Sequence, residues 1–183
     1  ATPTHTFENL TLSPVTYDVT LIGTSAFGCA DTATTQVTVN PNTVAQFSSS
    51  TMSGCAPLTV DLNNLSMNAT SFDWNYGDGT FSQETAATHQ HVFTNNSDIP
   101  LVRTVSLATN NVYGCSSIFH VNLEIYPQIE VSFTQPADVC SPATVQFTNT
   151  SVNVSAYSWN LGNGLQSVAQ NPTGVYENIT AND

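Results

Sequence analysis

The sequence contains almost no positive charge. Among its 183 residues there is no lysine and a single arginine, Arg103, against 13 acidic residues, which gives a formal net charge of -12 at pH 7. Binding to nucleic acid or to an anionic membrane requires clustered Lys and Arg side chains, so the composition predicts neither partner. We expect Arg103 either to extend into solvent at the edge of a sheet or to pair with a carboxylate.

Charge of either sign is scarce, and long apolar runs are absent. Only 8% of the residues are charged, against roughly 25% in an average soluble protein, so Ser, Thr, Asn and Gln must cover most of the surface. Hydrophobic residues make up 40% of the chain, which is enough to bury a core. No apolar run reaches the ~18 residues of a membrane-spanning helix, so no insertion into a membrane is predicted.

The cysteine pattern lacks the spacing of a metal cluster. The four cysteines form no CxxC pair, and no histidine lies at zinc-like spacing from them. An even number of cysteines in a chain rich in Thr, Asn and Ser favours an oxidising, extracellular location. The cysteines are Cys29, Cys55, Cys115 and Cys140.

The sequence repeats itself with a period of about 85 residues. "WNYGDG" at 74–79 recurs as "WNLGNG" at 159–164, and "GCAPLTVDLNNLS" at 54–66 recurs as "VCSPATVQFTNTS" at 139–151. In the same way, "VTYDVTLIGTSAFGC" at 15–29 matches "LVRTVSLATNNVYGC" at 101–115. Self-similarity at such a period is typical of arrays of small domains.

The phase of the repeat defines three parts. "PTHTFENLT" at 3–11 and "PTGVYENIT" at 172–180 are the same point of the repeat. The sequence therefore predicts the back half of one repeat in residues 1–41, a complete repeat in 42–127 and the front half of a third in 128–183. We expect a window on a longer tandem array. The alternative is a subunit whose half-repeats are completed by neighbouring chains through strand complementation.

Apolar residues alternate with polar ones throughout the complete repeat, which predicts short, half-buried strands. Leu58, Val60 and Leu62 face one way, and no stretch shows a helical period. About seven short strands in one repeat predict an all-β, Ig-like β-sandwich, in which a buried Trp packs at the centre. The predicted core residues are Phe72, Trp74, Tyr76, Val105, Leu107 and Trp159.

The acidic residue in "WNYGDG" allows two interpretations. Asp78 could be a calcium ligand or a general acid, or it could accept backbone hydrogen bonds in a tight turn, as Asp and Asn both do. In the third copy Asn163 stands in its place, which keeps the turn chemistry and removes the charge. The substitution favours a turn, and we predict no catalytic residue. The predicted turn residues are Gly77, Asp78, Gly79, Gly162, Asn163 and Gly164.

Metal sites have weak support in the sequence. "HQH" at 89–91 places two imidazoles on one strand face, but no third ligand is visible, so no metal site and no cofactor are predicted there. Calcium at the linkers between repeats is the one metal hypothesis left open. Its candidate oxygen ligands form no DxDxD-type loop and are Asp31, Asp61, Asp98, Glu130 and Asp138.

The order of these motifs resembles the PKD domain, an Ig-like β-sandwich. "WNYGDG" at 74–79 is similar to the family's WDFGDG-type strand and turn, and His91 to Phe93 is similar to the His-x-(Phe/Tyr) that follows it. The paired "GC" elements are similar to those of tandem PKD arrays in very large secreted proteins of Bacteroidetes-type bacteria. The resemblance implies PKD-type sandwich repeats in an end-to-end tandem array. "DTA" at 31–33 resembles the O-glycosylation signal of such proteins, which implies a glycan on Thr32.

An Ig-like topology places the cysteines at opposite ends of a domain. Cys29 and Cys115 are predicted in loops before the last strand, and Cys55 and Cys140 in loops before the second strand. Because a strand of eight residues spans roughly 26 Å and a disulfide needs Cα atoms within about 7 Å, a Cys55–Cys115 bond within one repeat is disfavoured. We therefore expect disulfides between neighbouring domains.

The resemblance implies a spacer or adhesive module rather than an enzyme. We expect a structural segment of a long extracellular filament or adhesin at the cell surface, whose partners are neighbouring repeats of the same or an identical chain. The alternative is a module that binds an extracellular glycan or protein through its loops. An exposed aromatic patch would favour the binding module, and a uniformly polar surface would favour the spacer.

Overall fold

The computed structural model describes residues 2–178, and all regular structure in that range is β-strand. The predicted all-β fold is therefore confirmed. Residues 2–178 contain no helix that could cross a bilayer. The strands are β1 (Val15–Thr24), β2 (Ala30–Val39), β3 (Phe47–Ser49), β4 (Ser53–Cys55), β5 (Leu58–Asn64), β6 (Ser71–Asn75), β7 (Phe81–Ser82), β8 (Thr88–Phe93), β9 (Leu101–Asn110), β10 (Ser116–Tyr126), β11 (Phe133–Thr134), β12 (Ala143–Gln146), β13 (Thr148–Asn149), β14 (Trp159–Asn160), β15 (Gln166–Ser167) and β16 (Thr173–Tyr176).

The chain divides into two compact units. The first contains the chain up to Met52, Thr59–Phe93 and Val102–Glu124, and the second contains Ser53–Leu58, Thr94–Leu101 and the chain from Ile125 onward. The repeat boundaries predicted from the sequence stay a prediction.

The segment 42–127, which the sequence predicts to be the complete repeat, contains strands of two sheets. One has the strand order β4-β10-β9-β6-β7 and the other has the order β3-β5-β8. In the first unit, side chains that alternate along these strands are buried, because one face of each strand points away from solvent. The buried apolar residues of this unit include Phe47, Val60, Leu62, Trp74, Phe93, Val105, Leu107 and Leu123.

The strands β1 and β2 form a long antiparallel hairpin in the first unit. Its register runs from Val15 opposite Val39 to Thr24 opposite Ala30. Directly opposite residues of an antiparallel pair lie on the same face, so Tyr17, Val19 and Leu21 share one face with residues of β2. In the structure, most of this hairpin is exposed.

The second unit holds three small sheets within residues 128–178. They pair β11 with β13, β12 with β16 and β14 with β15. The aromatic residues that correspond to the core of the complete repeat are less covered here: Phe147 and Trp159 are half-buried and Phe133 is exposed. This unit therefore has apolar side chains without the cover that they have in the complete repeat.

The predicted core residues differ in burial. Trp74, Tyr76, Val105 and Leu107 are buried, whereas Phe72 and Trp159 are half-buried. Trp159 lies on β14, whose single strand neighbour in the sheets of residues 2–178 is β15. The corresponding strand of the complete repeat, β6, has a neighbour on each side.

Local hydrogen bonding is repeated along with the sequence. The Asn9 side-chain amide donates to the carbonyls of Ser13 (2.8 Å) and Val39 (2.7 Å). At the matching point of the next copy, Asn95 donates to the carbonyls of Ile99 (2.8 Å) and Ile125 (2.7 Å). Each asparagine thus fixes the chain at the end of a long strand in the same way.

Candidate functional site

The "WNYGDG" segment forms a tight turn at the end of β6. Gly77 N donates to Asn75 Oδ1 (2.9 Å), Thr80 N donates to Asp78 Oδ1 (3.0 Å), and Tyr76 N donates to Thr80 O (3.2 Å). These bonds are the ones that Asn and Asp side chains make in turns. Gly77 has φ of +75°, a left-handed conformation that glycine adopts without steric cost.

The third copy builds the same turn without the acid. Gly162 N donates to Asn160 Oδ1 (3.0 Å), Leu165 N donates to Asn163 Oδ1 (3.1 Å), and Leu161 N donates to Leu165 O (3.0 Å). The side-chain oxygen of Asn163 accepts a hydrogen bond from Leu165 N, just as the side-chain oxygen of Asp78 accepts one from Thr80 N. The turn therefore requires a side-chain oxygen at this position and does not require a negative charge.

A histidine from β8 reaches the turn in the complete repeat. His91 Nε2 lies 2.7 Å from Asp78 Oδ2, and the imidazole stacks on the Tyr76 ring with centroids 3.8 Å apart and an interplanar angle of 1°. The Phe93 ring meets the same imidazole edge-on, with the ring centroids 4.7 Å apart. Asp78 thus links the turn to β8, a contact that was not predicted from the sequence.

The second histidine of "HQH" lies beside the core tryptophan. His89 Nε2 is 3.0 Å from the Tyr76 hydroxyl, and the imidazole meets the Trp74 ring edge-on at 4.7 Å. His89 Nδ1 is buried with no hydrogen-bond partner in the structure. The two imidazoles therefore contact aromatic rings and the carboxylate, rather than converging on one point where a metal would bind.

The electrostatics follow from these contacts. Partial burial raises the pKa of the Asp78 carboxyl, but the hydrogen bonds from Thr80 and His91 outweigh this effect, so that its pKa lies below the ordinary value. Burial lowers the pKa of the His89 imidazole, because it disfavours the charged form. Burial also raises the pKa of the Tyr76 hydroxyl.

A histidine–carboxylate pair is also the arrangement that orients a general base in hydrolases. Here the Thr80 hydroxyl, the alcohol next to the pair, donates to Asp78 Oδ1 and so is bound to the carboxylate. In the third copy the pair is lost, since Asn163 replaces Asp78 and Gly174 stands where His91 stands. This joint change of two residues is the one sequence signal from which the pairing could have been found.

No metal cluster is present among residues 2–178, because no group of three or more His, Cys, Asp or Glu side chains there could hold an ion. Two of the calcium candidates make other bonds: Asp31 accepts from Thr32 N (2.8 Å), and Asp61 accepts from Gln90 Nε2 (2.6 Å). Calcium at the linkers stays a prediction.

The remaining predicted sites are separate from the turn or contact only its backbone. Arg103 Nη1 lies 3.4 Å from Gly77 O, so the arginine lies along the turn rather than pairing with a carboxylate there. Thr32 is exposed on β2. The four cysteines are unpaired, with Cys115 half-buried and the other three exposed. Cys55 was predicted in a loop, but it is the last residue of the short strand β4, because this segment pairs with β10 at the edge of the sheet.

Comparison with known proteins finds similarity in solved structures alone. No family model matches the chain, and no curated protein matches it. A structure described as a carbohydrate-binding module of the β-sandwich superfamily is similar over 60% of this chain and 55% of its own, with a TM-score of 0.44 and 17% identity.

Two PKD domains are also similar to part of the chain. The PKD1 domain of the Vibrio cholerae metalloprotease PrtV matches over 47% of this chain and 99% of its own, with a TM-score of 0.38 and 22% identity. The PKD1 domain of Vibrio anguillarum Epp matches over 49% of this chain and 99% of its own, with a TM-score of 0.40 and 22% identity. The chain thus spans about half the length of the carbohydrate-binding structure and nearly all of each PKD domain.

Proposed function

We propose that the chain is a non-catalytic, load-bearing segment of an extracellular surface filament or adhesin, built from PKD-type β-sandwich repeats that follow one another end to end. The observation that carries this proposal is the repetition of backbone structure without repetition of chemistry. The turn at 77–80 recurs at 162–165 with the same hydrogen bonds, whereas Asp78 and His91 are replaced by Asn163 and Gly174.

The placement of the Asp78–His91 pair supports a mechanical role for the pair. It joins the turn after β6 to β8, and these two strands belong to different sheets. A hydrogen bond that involves a charged group is stronger than a neutral one. The pair therefore holds the two sheets together at this end of β6.

The positions of the cysteines support disulfide bonds between neighbouring repeats rather than within one. Cys115 immediately precedes β10, while Cys55 precedes Ala56, which hydrogen-bonds at the other end of that strand. A strand of 11 residues extends about 36 Å, which is much farther than the about 7 Å that a disulfide spans. In an oxidising medium, bonds from these thiols would therefore run to neighbouring domains. Mass spectrometry of unreduced peptides tests this, and a Cys55–Cys115 peptide pair would contradict it.

Stretching single molecules tests the load-bearing role. Residues 42–127 extend to about 300 Å when unfolded, and the folded repeat spans about 36 Å along β10. We expect one abrupt step that lengthens the chain by about 260 Å. Removal of the buried Trp74 by Trp74→Ala should lower the force of this step, since such truncations cost about 3–5 kcal/mol. Phe81→Ala, at an exposed aromatic ring, is the control. Gradual lengthening without such a step would refute a load-bearing sandwich.

A second candidate function is glycan binding, and one observation favours it. Phe81 on β7 is an exposed aromatic ring that lines a small depression with Asp73 and Gln83, and Gln83 Nε2 donates to Asp73 Oδ1 (2.7 Å). A flat aromatic face flanked by polar groups is suited to stacking on a sugar. The third copy has Gln166 at this position, so this site would not be repeated. Loss of binding on a glycan array in Phe81→Ala would support it, and no binding by the unaltered chain would refute it.

A further inference from the structure

The chain carries one peptide bond that a peptidase specific for basic residues can cut. Such peptidases hold a Lys or Arg side chain in a pocket that contains a carboxylate. Among the 183 residues there is no lysine, and Arg103 is the single arginine. The residue after it is Thr104 rather than proline, so the Arg103–Thr104 bond is a chemically suitable site. Whether the bond is cut is therefore decided by its place in the fold.

In the folded chain, both edges of the strand that contains this bond are occupied. The bond lies near the start of β9, and β9 lies between β10 and β6 in its sheet. The Thr104 hydroxyl donates to Asn122 Oδ1 on β10 (2.8 Å). On the other side, the turn after β6 is so close that a Cβ atom on Gly77 would lie 2.9 Å from Thr104 N. Cleavage would release this nitrogen as an amine, and the turn covers it.

The side chain that the peptidase must recognise is also held by the fold. Arg103 is half-buried, its Nη1 atom lies 3.4 Å from Gly77 O, and its Nε atom is buried. A guanidinium in this position cannot enter the pocket of a peptidase. The turn that shields the bond thus also retains the arginine.

The bond becomes accessible only when the core opens. A peptidase binds several residues on each side of the bond that it cuts as an extended strand, in the manner of β-strand addition. The residues that follow the bond include Val105 and Leu107, whose exposed fraction is 0%, and Leu107 lies opposite Trp74 in the sheet. The chain can therefore be bound only after β9 has left the core, which requires opening of the repeat rather than of one loop.

We propose that Arg103–Thr104 is a concealed cleavage site for an arginine-specific peptidase, closed in the folded repeat and available once the repeat unfolds. Cleavage adds water across the bond: the hydroxyl joins the Arg103 carbonyl carbon, the proton goes to Thr104 N, and the fragments are 1–103 and 104–183. This proposal rests on the proposed function, because load is what unfolds a repeat in the filament. An intact filament thus resists such peptidases, whereas an overstretched repeat is cut.

Trypsin is the probe for this site, and the full chain is the substrate. Ala86→Arg places a second arginine in the exposed loop between β7 and β8, where it reports how fast an accessible site is cut. In the folded chain we expect cleavage at position 86 to be at least a thousandfold faster than at Arg103, as measured by mass spectrometry of the fragments. In urea the unaltered chain should be cut, whereas Arg103→Gln should stay intact. Folded-state rates within tenfold of each other at the two positions would overturn the proposal.

Two pairs of variants test what keeps the bond closed. Gly77→Ala forces the turn away from the bond and should speed cleavage at least fivefold relative to Gly79→Ala, whose Cβ position is open. Trp74→Ala removes the buried indole from the core and should speed cleavage at least a hundredfold relative to Phe81→Ala, where the ring is exposed. Equal rates within either pair would overturn the proposal.

A urea series covers the case in which Trp74→Ala does not fold. In Ala86→Arg, the ratio of the cleavage rate at Arg103 to that at position 86 should rise with urea as steeply as the unfolding equilibrium does. The reason is that the slope measures the surface that the opening exposes. A ratio that does not respond to urea would mean that fraying at the start of β9 is enough for cleavage, and would overturn the proposal.

Stretching in the presence of trypsin separates this proposal from the proposed function. A tethered chain held below the force of its unfolding step should stay intact, and one held after the step should break, whereas Arg103→Gln tethers should survive both. If the abrupt step occurs but unfolded chains survive as long as those of Arg103→Gln, the proposed function stands and this inference alone is wrong. If no abrupt step occurs, the proposed function fails, and the urea series still tests the concealed site.

Discussion

Replacement of Gly77 by alanine tests whether the "WNYGDG" segment acts through backbone geometry. Gly77 has φ of +75°, and a Cβ atom there would lie 2.6 Å from Thr104 O and 2.9 Å from Thr104 N. Both atoms belong to the backbone of β9, which pairs with β6 in the sheet. The clash cannot be relieved by rotating a side chain, so the turn or the strand must move.

The structure gives the expected size of the effect. A left-handed conformation costs an L-residue about 1–2 kcal/mol, and overpacking against a fixed neighbour adds about 1–3 kcal/mol. Gly79 has φ of +94° but open space around its Cβ position, so Gly79→Ala should cost the first amount alone. Gly77→Ala should therefore destabilise β6 by about 1–3 kcal/mol more than Gly79→Ala does.

Native-state hydrogen exchange measures this difference, because it reports the free energy of opening of individual strands. Protection in β6 and β9 should fall most in Gly77→Ala and less in Gly79→Ala. Gly162 has φ of +77° and no atom within 4 Å of the position that a Cβ would take. Gly162→Ala should therefore leave the protection of β6 and β9 from hydrogen exchange unchanged. Equal losses in Gly77→Ala and Gly79→Ala would refute the proposed close approach of the turn to β9.

Two further predictions concern the ionisable groups. Asp78→Asn should keep the turn, as Asn163 does, but remove part of the acid sensitivity, because the lowered pKa of Asp78 adds stability above about pH 4 that is lost as the pH falls. Between pH 5 and 3, the urea concentration at the unfolding midpoint should therefore fall more in the unaltered chain than in Asp78→Asn. Equal falls would argue against the His91 pair. His89 also has a lowered pKa, so its contribution to stability is present above about pH 6.5 and is lost as the pH falls. Between pH 7.5 and 5.5, the urea midpoint should therefore fall less in His89→Gln than in the unaltered chain. An identical fall would show that His89 is not buried in its neutral form.

The alternation of apolar residues was sufficient to predict an all-β fold and the centre of the core. Trp74, Val105 and Leu107 could be identified because a period of two places them on one face of their strands. The internal repeat added what composition could not, because the exchange of Asp78 for Asn163 separated the turn from the charge.

Contacts between distant segments could not be predicted in this way. His91 and Asp78 meet because β8 of one sheet passes the end of β6 of the other, and such packing leaves no local pattern in the sequence. The half-buried state of Trp159 was missed for a related reason. Its burial depends on whether a neighbouring strand is present, and "WNLGNG" itself is the same in both cases.

The central claim is that these sandwiches follow one another along a fibre and carry load. Electron cryomicroscopy of the assembled protein tests this claim most directly. Since β10 has 11 residues and extends about 36 Å, we expect rods whose density repeats about every 40 Å along the axis, with one β-sandwich in each repeat. Rounded particles, or rods without such an axial repeat, would contradict the claim.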